Sequence, residues 1–89
     1  MSNNQTSIED IKIIKLIEDK VKAILKHDRD ITLDEDLRKL GLDSMKSFEM
    51  VVQLEDEYDI EFSGDENLLE RFSTIQKIKD SVDSKIKKY

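Results

Sequence analysis

Apolar residues return every three or four positions along three separate stretches of this chain, the spacing of helices that bury one face. In the first, Ile14, Ile17, Val21, Ile24 and Leu25 make the stripe, widened by Ile11, Ile13 and Leu16, with lysines and acids on the other side. Ser7-Ile8-Glu9-Asp10 opens it as a capping serine followed three residues later by an acid, and a helix over 7–27 is predicted. Met45, Phe48, Val51, Val52, Leu54 and Tyr58 set a second helix over 44–58. Ile75, Ile78, Val82 and Ile86 give a last one over 74–87. Ser73 and Gln76 stand at capping-box spacing at its start, and Lys85, Lys87 and Lys88 suit the dipole at its end. Asp65 to Phe72 reads as a short third helix with acids in its first turn. The chain has no proline and two glycines, Gly41 and Gly64, too little turn punctuation for an all-β fold. The prediction is an all-α four-helix bundle with a long loop between helices 1 and 2.

Eighty-nine residues allow one small domain, able to bury about 60–65% of its chain surface. Its polar first six residues are expected to be a disordered terminus, and 7–89 a single domain. Without cysteine, disulfides, thiolate metal sites and cysteine nucleophiles are excluded. No apolar run approaches a membrane span and no signal-peptide core opens the chain, so cytoplasmic residence is the expectation. His27, the sole histidine, falls at the end of helix 1, where it suits the dipole and lacks a nucleophile to serve. Asp28, Asp30, Asp34 and Asp36 do not form a calcium loop, because glycine is missing from the sixth position and the twelfth is Lys39. With no glycine-rich phosphate loop either, there is no catalytic residue and no metal site to nominate.

Charge is unevenly spread. Residues 43–70 carry ten acids against one base, Lys46, while the whole chain stands at −6. Such a segment repels nucleic acid and anionic membrane and attracts basic protein surfaces.

Residues 28–43 form the long connection, with Ile31, Leu33, Leu37, Leu40 and Leu42 as its apolar anchors, and it must cross the bundle to reach helix 2. It ends in Leu40-Gly41-Leu42-Asp43-Ser44-Met45. Ser44 thus stands at a helix N-terminus, where unpaired amides and the dipole favour an anion. On local grounds Ser44 or Asp43 is equally an ordinary N-cap. In helix 2, Ser47, Met50, Val51, Leu54 and Tyr58 should face the core. Met45, Phe48, Val52 and Asp56, flanked by Glu49 and Glu55, turn away from it. That surplus of apolar width either packs under the long loop or is offered to a partner.

Gly-Leu-Asp-Ser-Met and the helix that follows it to Ile60 resemble the acyl carrier protein family, which includes peptidyl and D-alanyl carriers. The likeness is strongest over 37–62 and extends loosely from Ile8 to Ile86. It implies the acyl-carrier four-helix bundle with its short third helix. It also implies a covalent 4′-phosphopantetheine arm, taken from coenzyme A onto Ser44, with Asp43 helping to position Mg²⁺ during transfer. The sulfur that the chain lacks would arrive on that arm. By the same resemblance, Asp43, Met45, Lys46, Phe48, Glu49, Val52, Glu55 and Asp56 form the partner-binding face. The partners implied are a phosphopantetheinyl transferase, an acyl- or aminoacyl-loading ligase, and downstream synthases or transferases. Lys46 departs from the fatty-acid-synthesis type, which commonly has an acid or small polar residue there. The chain is thus expected to be a freestanding, monomeric, non-enzymatic carrier of thioesters in fatty acid, polyketide or nonribosomal peptide biosynthesis. Two other readings stay open: an unmodified acidic adaptor, and a phosphoserine switch at Ser44.

Overall fold

The computed structural model describes residues 8–62 and 67–86, all of them helix, turn or connection. The expected N-terminal tail, the Ser7 cap, the Gly64 break with the acids at 65 and 66, and Lys87 and Lys88 lie outside those residues. Among the described residues four α-helices follow in order: α1 Ile8–Leu25, α2 Ser44–Tyr58, α3 Leu68–Arg71 and α4 Ile75–Ile86. Helix α1 packs against α2 and α4, and α3 closes between α2 and α4. This is the all-helical bundle that the periodicity predicted.

Ile17 and Val21 of α1, Met50, Val51 and Leu54 of α2, and Ile75, Ile78 and Val82 of α4 are buried together. Their spacing of three and four residues puts each set on one face. Phe62 follows α2 into this core and meets Phe72 edge to face, with ring centroids 5.6 Å apart. Ile86, expected to complete the stripe of α4, is 39% exposed.

The helix ends differ from expectation for local reasons. Helix α1 stops at Leu25 rather than at residue 27, because Lys26 takes a left-handed conformation (φ 55°) and His27 N–H donates back to the Lys22 carbonyl at 2.9 Å. That is the Schellman closure, made here without glycine. Helix α2 ends the same way, with Asp59 at φ 55° and Ile60 N–H on the Glu55 carbonyl. At the start of α4 the cap is Thr74, not Ser73: Thr74 Oγ1 accepts from Lys77 N–H at 3.0 Å, while Ser73 donates its hydroxyl to the Glu70 carbonyl. Both serine and threonine can cap, and the backbone trajectory out of α3 decides between them.

A buried charge joins α1 to α4. Lys79 is 7% exposed, and its ammonium sits 3.0 Å from Asp10 and 2.5 Å from Asp83. Burial works to lower its pKa, but hydrogen bonds to Asp83 and Asp10 outweigh it and hold the value above the ordinary lysine one.

The long connection is fastened rather than loose. Ile31, Leu37 and Leu42 are buried, Leu40 half-buried, and Leu33 exposed, so four of the five expected anchors reach the core. Leu33 contributes through its backbone instead, its carbonyl accepting from Gln76 N–H at 3.0 Å. Leu37 N–H donates to the Ser73 carbonyl at 2.7 Å. Residues Leu37–Leu40 form a 3₁₀ helix within the stretch expected to be plain connection. Asp36 caps it through Arg38 N–H and grips the Arg38 guanidinium, which lowers the Asp36 pKa. Arg38 also reaches Glu70, and Glu70 reaches Lys77, tying loop, α3 and α4 along one edge.

Candidate functional site

Gly41 ends the 3₁₀ helix at φ 111°, with its N–H on the Arg38 carbonyl at 3.2 Å. L-residues rarely adopt that backbone, so glycine is required for the turn that points the chain into α2. Leu42 then plugs into the core, and Asp43 takes an extended conformation as the N-cap. Asp43 Oδ1 accepts from Lys46 N–H at 2.9 Å, and its carbonyl accepts from Ser47 N–H at 2.8 Å. The capping role that local reasoning offered to either residue falls to Asp43. Ser44 is therefore left over: it is the first residue of α2, exposed, with no hydrogen bond holding its hydroxyl to another described residue.

From Ser44 an apolar face runs down α2 on the solvent side. Met45 is 79% exposed, Phe48 61% and Val52 52%, and with Ser44, Lys46, Glu49 and Gln53 they line one shallow groove. The alternative in which Phe48 and Val52 are covered by the long loop is not what the structure shows. Glu49 and Asp56 are exposed beside this strip. Of the residues named from sequence, Asp43, Met45, Lys46, Phe48, Glu49, Val52 and Asp56 share the outer side or the N-terminal end of α2. Glu55 does not stand with them as an open acid. It is half-buried, and its carboxylate accepts from Phe62 N–H at 2.9 Å, holding the chain as it turns back after α2.

Two features were not foreseen. Lys20 of α1 reaches Gln53 Oε1 at 3.3 Å, bringing a second base to the edge of the groove. Nothing in either segment signals this neighbourhood, which arises only when α1 and α2 pack. Ser47, one turn below Ser44, is fully buried and its Oγ has no hydrogen-bond partner among the described residues. At the far end of α2, Tyr58 is half-buried, and burial, with Glu57 and Asp83 nearby, raises its phenol pKa.

An exposed hydroxyl at the start of a 15-residue helix, opening onto an apolar strip, suits a phosphate-linked arm. The unpaired amides and the dipole at that end favour negative charge. Among the described residues there is no acidic, histidine or cysteine cluster able to hold a metal ion, and no helix long and apolar enough to cross a membrane.

Fold and face together define a small helical bundle that displays one exposed serine beside an apolar strip. The chain belongs to the acyl carrier protein family: the family described as "Phosphopantetheine attachment site" matches residues 15–82. It is 38% identical to Acyl carrier protein 1, chloroplastic, of Spinacia oleracea, over 78% of this chain and 49% of that protein. It is 33% identical to the Acyl carrier protein of Buchnera aphidicola subsp. Acyrthosiphon pisum (strain 5A), over 81% of this chain and 95% of that one. The chain thus spans about half the length of the spinach relative and nearly all of the Buchnera one. No solved structure gives a significant match. Members of this family are carriers rather than enzymes, and the group they carry is 4′-phosphopantetheine.

Proposed function

We propose that Ser44 Oγ is the attachment point of 4′-phosphopantetheine and that the chain carries acyl groups as thioesters between enzymes. The observation that carries this is the exposed, unengaged Ser44 hydroxyl at the start of α2, inside the matched region. In loading, Ser44 Oγ bonds to the phosphorus next to the pantetheine of coenzyme A, and adenosine 3′,5′-bisphosphate leaves. The serine proton goes to a base of the transferase. Asp43, fixed as the cap, stands where it can help hold the Mg²⁺ that accompanies coenzyme A. Once attached, the group supplies a flexible arm ending in a thiol. The arm presents cargo to a docked enzyme at an effective concentration of roughly millimolar.

On this reading Met45, Phe48 and Val52 are the apolar centre of the docking face, with Glu49 and Asp56 as its acids. Docking of this kind forms and releases quickly and weakens with salt. Both named relatives are acyl carrier proteins, which favours an acyl over an aminoacyl cargo. The pathway is fatty acid or polyketide synthesis, and Lys46 leans away from the first. Cytoplasmic residence, where coenzyme A is available, goes with this reading.

The test is intact mass after incubation with coenzyme A and a broad-specificity phosphopantetheinyl transferase. One phosphopantetheine should be added to the wild type and none to Ser44→Ala. An unchanged wild-type mass would leave an unmodified adaptor, and phosphorylation by a kinase instead would make Ser44 a phosphoserine switch.

A further inference from the structure

The docking face is not uniformly acidic, and its one basic corner has a definite place. At 3.6 residues per turn, the outer circumference of α2 runs from Phe48 and Val52, through Met45 and Asp56, to Glu49 and then Lys46. Lys46 is the single base among residues 43–70. On its side lies α1, whose Lys20 ammonium reaches Gln53 in the same groove. Two helices therefore bring two ammonium groups to one flank of the groove, while Glu49 lines it and Asp56 stands exposed two turns further along the same helix. The nearest acid does not lock Lys46 in place. Its Nζ is 3.8 Å from Asp43 Oδ2, with the two side chains 39% and 60% exposed, and such a surface pair holds its members weakly. The ammonium is available to a partner.

We infer that the enzymes docking on this chain place a carboxylate opposite Lys46, next to the bases that meet Glu49 and Asp56. The inference rests on α2 being the docking helix. A partner with a wholly basic surface would bring like charge onto the Lys46 flank, and like charges set against each other across an interface suppress a partner. The partner chemistry that fits is an apolar knob over Phe48 and Val52, bases toward Glu49 and Asp56, and an acid at the end of the groove nearest Ser44.

Lys46→Glu gives the two possibilities opposite signs. Loading of wild type, Lys46→Glu, Lys46→Met and Glu49→Lys is followed by intact mass with coenzyme A and the host organism's own transferase, at low and high salt. Circular dichroism melts check that each variant is folded. If a carboxylate meets Lys46, Lys46→Glu lowers kcat/KM about tenfold with kcat unchanged, Lys46→Met lowers it less, and both gaps narrow at high salt. Glu49→Lys slows loading as well. If the partner reads acidity alone, Lys46→Glu loads as fast as wild type or faster, and the inference is overturned. A wild type that gains no phosphopantetheine would instead remove the carrier reading, and this inference would fall with it.

Discussion

The two sides of α2 share one helix and nearly the same apolar content, yet the bundle uses them differently. On the inner side Met50 and Leu54 are fully buried and Val51 nearly so. On the outer side Met45, Phe48 and Val52 keep more than half of their surface in water. Burial of a side chain of this size contributes about 1.5–3 kcal/mol, so the inner side holds the domain together. The outer side contributes little to folding and keeps its apolar area exposed. A small domain has little stability to spare, and the proposed docking role gives the exposed Phe48 beside Ser44 a use that folding does not.

Leu54→Ala should show the largest effect on stability. It opens a cavity at the centre of the inner side and should cost about 3–4 kcal/mol in chemical denaturation. Phe48→Ala should change stability by less than about 0.5 kcal/mol while lowering transferase kcat/KM about tenfold. Equal losses of stability from the two would erase the distinction between the sides.

Lys79 extends the comparison to α4, where a buried position is filled by a charge. Lys79→Ala removes the ammonium that Asp10 and Asp83 share, and because both carboxylates keep contact with water it should cost about 1–2 kcal/mol. Its folded pKa is raised, so the contribution is present in full below the unfolded value near pH 10.4 and is lost as pH rises through the folded value. Thermal melts between pH 8 and 11 should therefore fall more steeply for wild type than for Lys79→Met, and parallel curves would deny the coupling.

Gly41→Ala should cost about 1–2 kcal/mol, the backbone penalty alone, since an added Cβ at Gly41 meets nothing within 4 Å. Ser47→Ala should have the opposite sign. Removing an unpaired buried hydroxyl should stabilise the domain by about 1 kcal/mol. A loss on Ser47→Ala would mean that the hydroxyl is engaged in solution.

Helix positions and the inner and outer sides of α2 were legible in the sequence because they follow from local periodicity. Ser47 was rightly put inside despite its hydroxyl, because its neighbours at three- and four-residue spacing are apolar. Glu55 was grouped with the open acids because its wheel position flanks that face. Its bond to Phe62 N–H depends on how the chain turns after Asp59, which the local pattern does not carry. The same holds for Thr74 capping in place of Ser73, and for Leu33 acting through its carbonyl. Lys20 at the groove was the least readable, since it needs α1 and α2 already packed. What local pattern encodes was read, and what packing decides was not.

The most direct test is peptide-level mass spectrometry on the protein purified from the organism that makes it. Phosphopantetheine carried solely on the peptide bearing Ser44, and absent from Ser44→Ala, is the expected result. A phosphate at Ser44, the arm on another serine, or a wholly unmodified chain under conditions of active biosynthesis would contradict it.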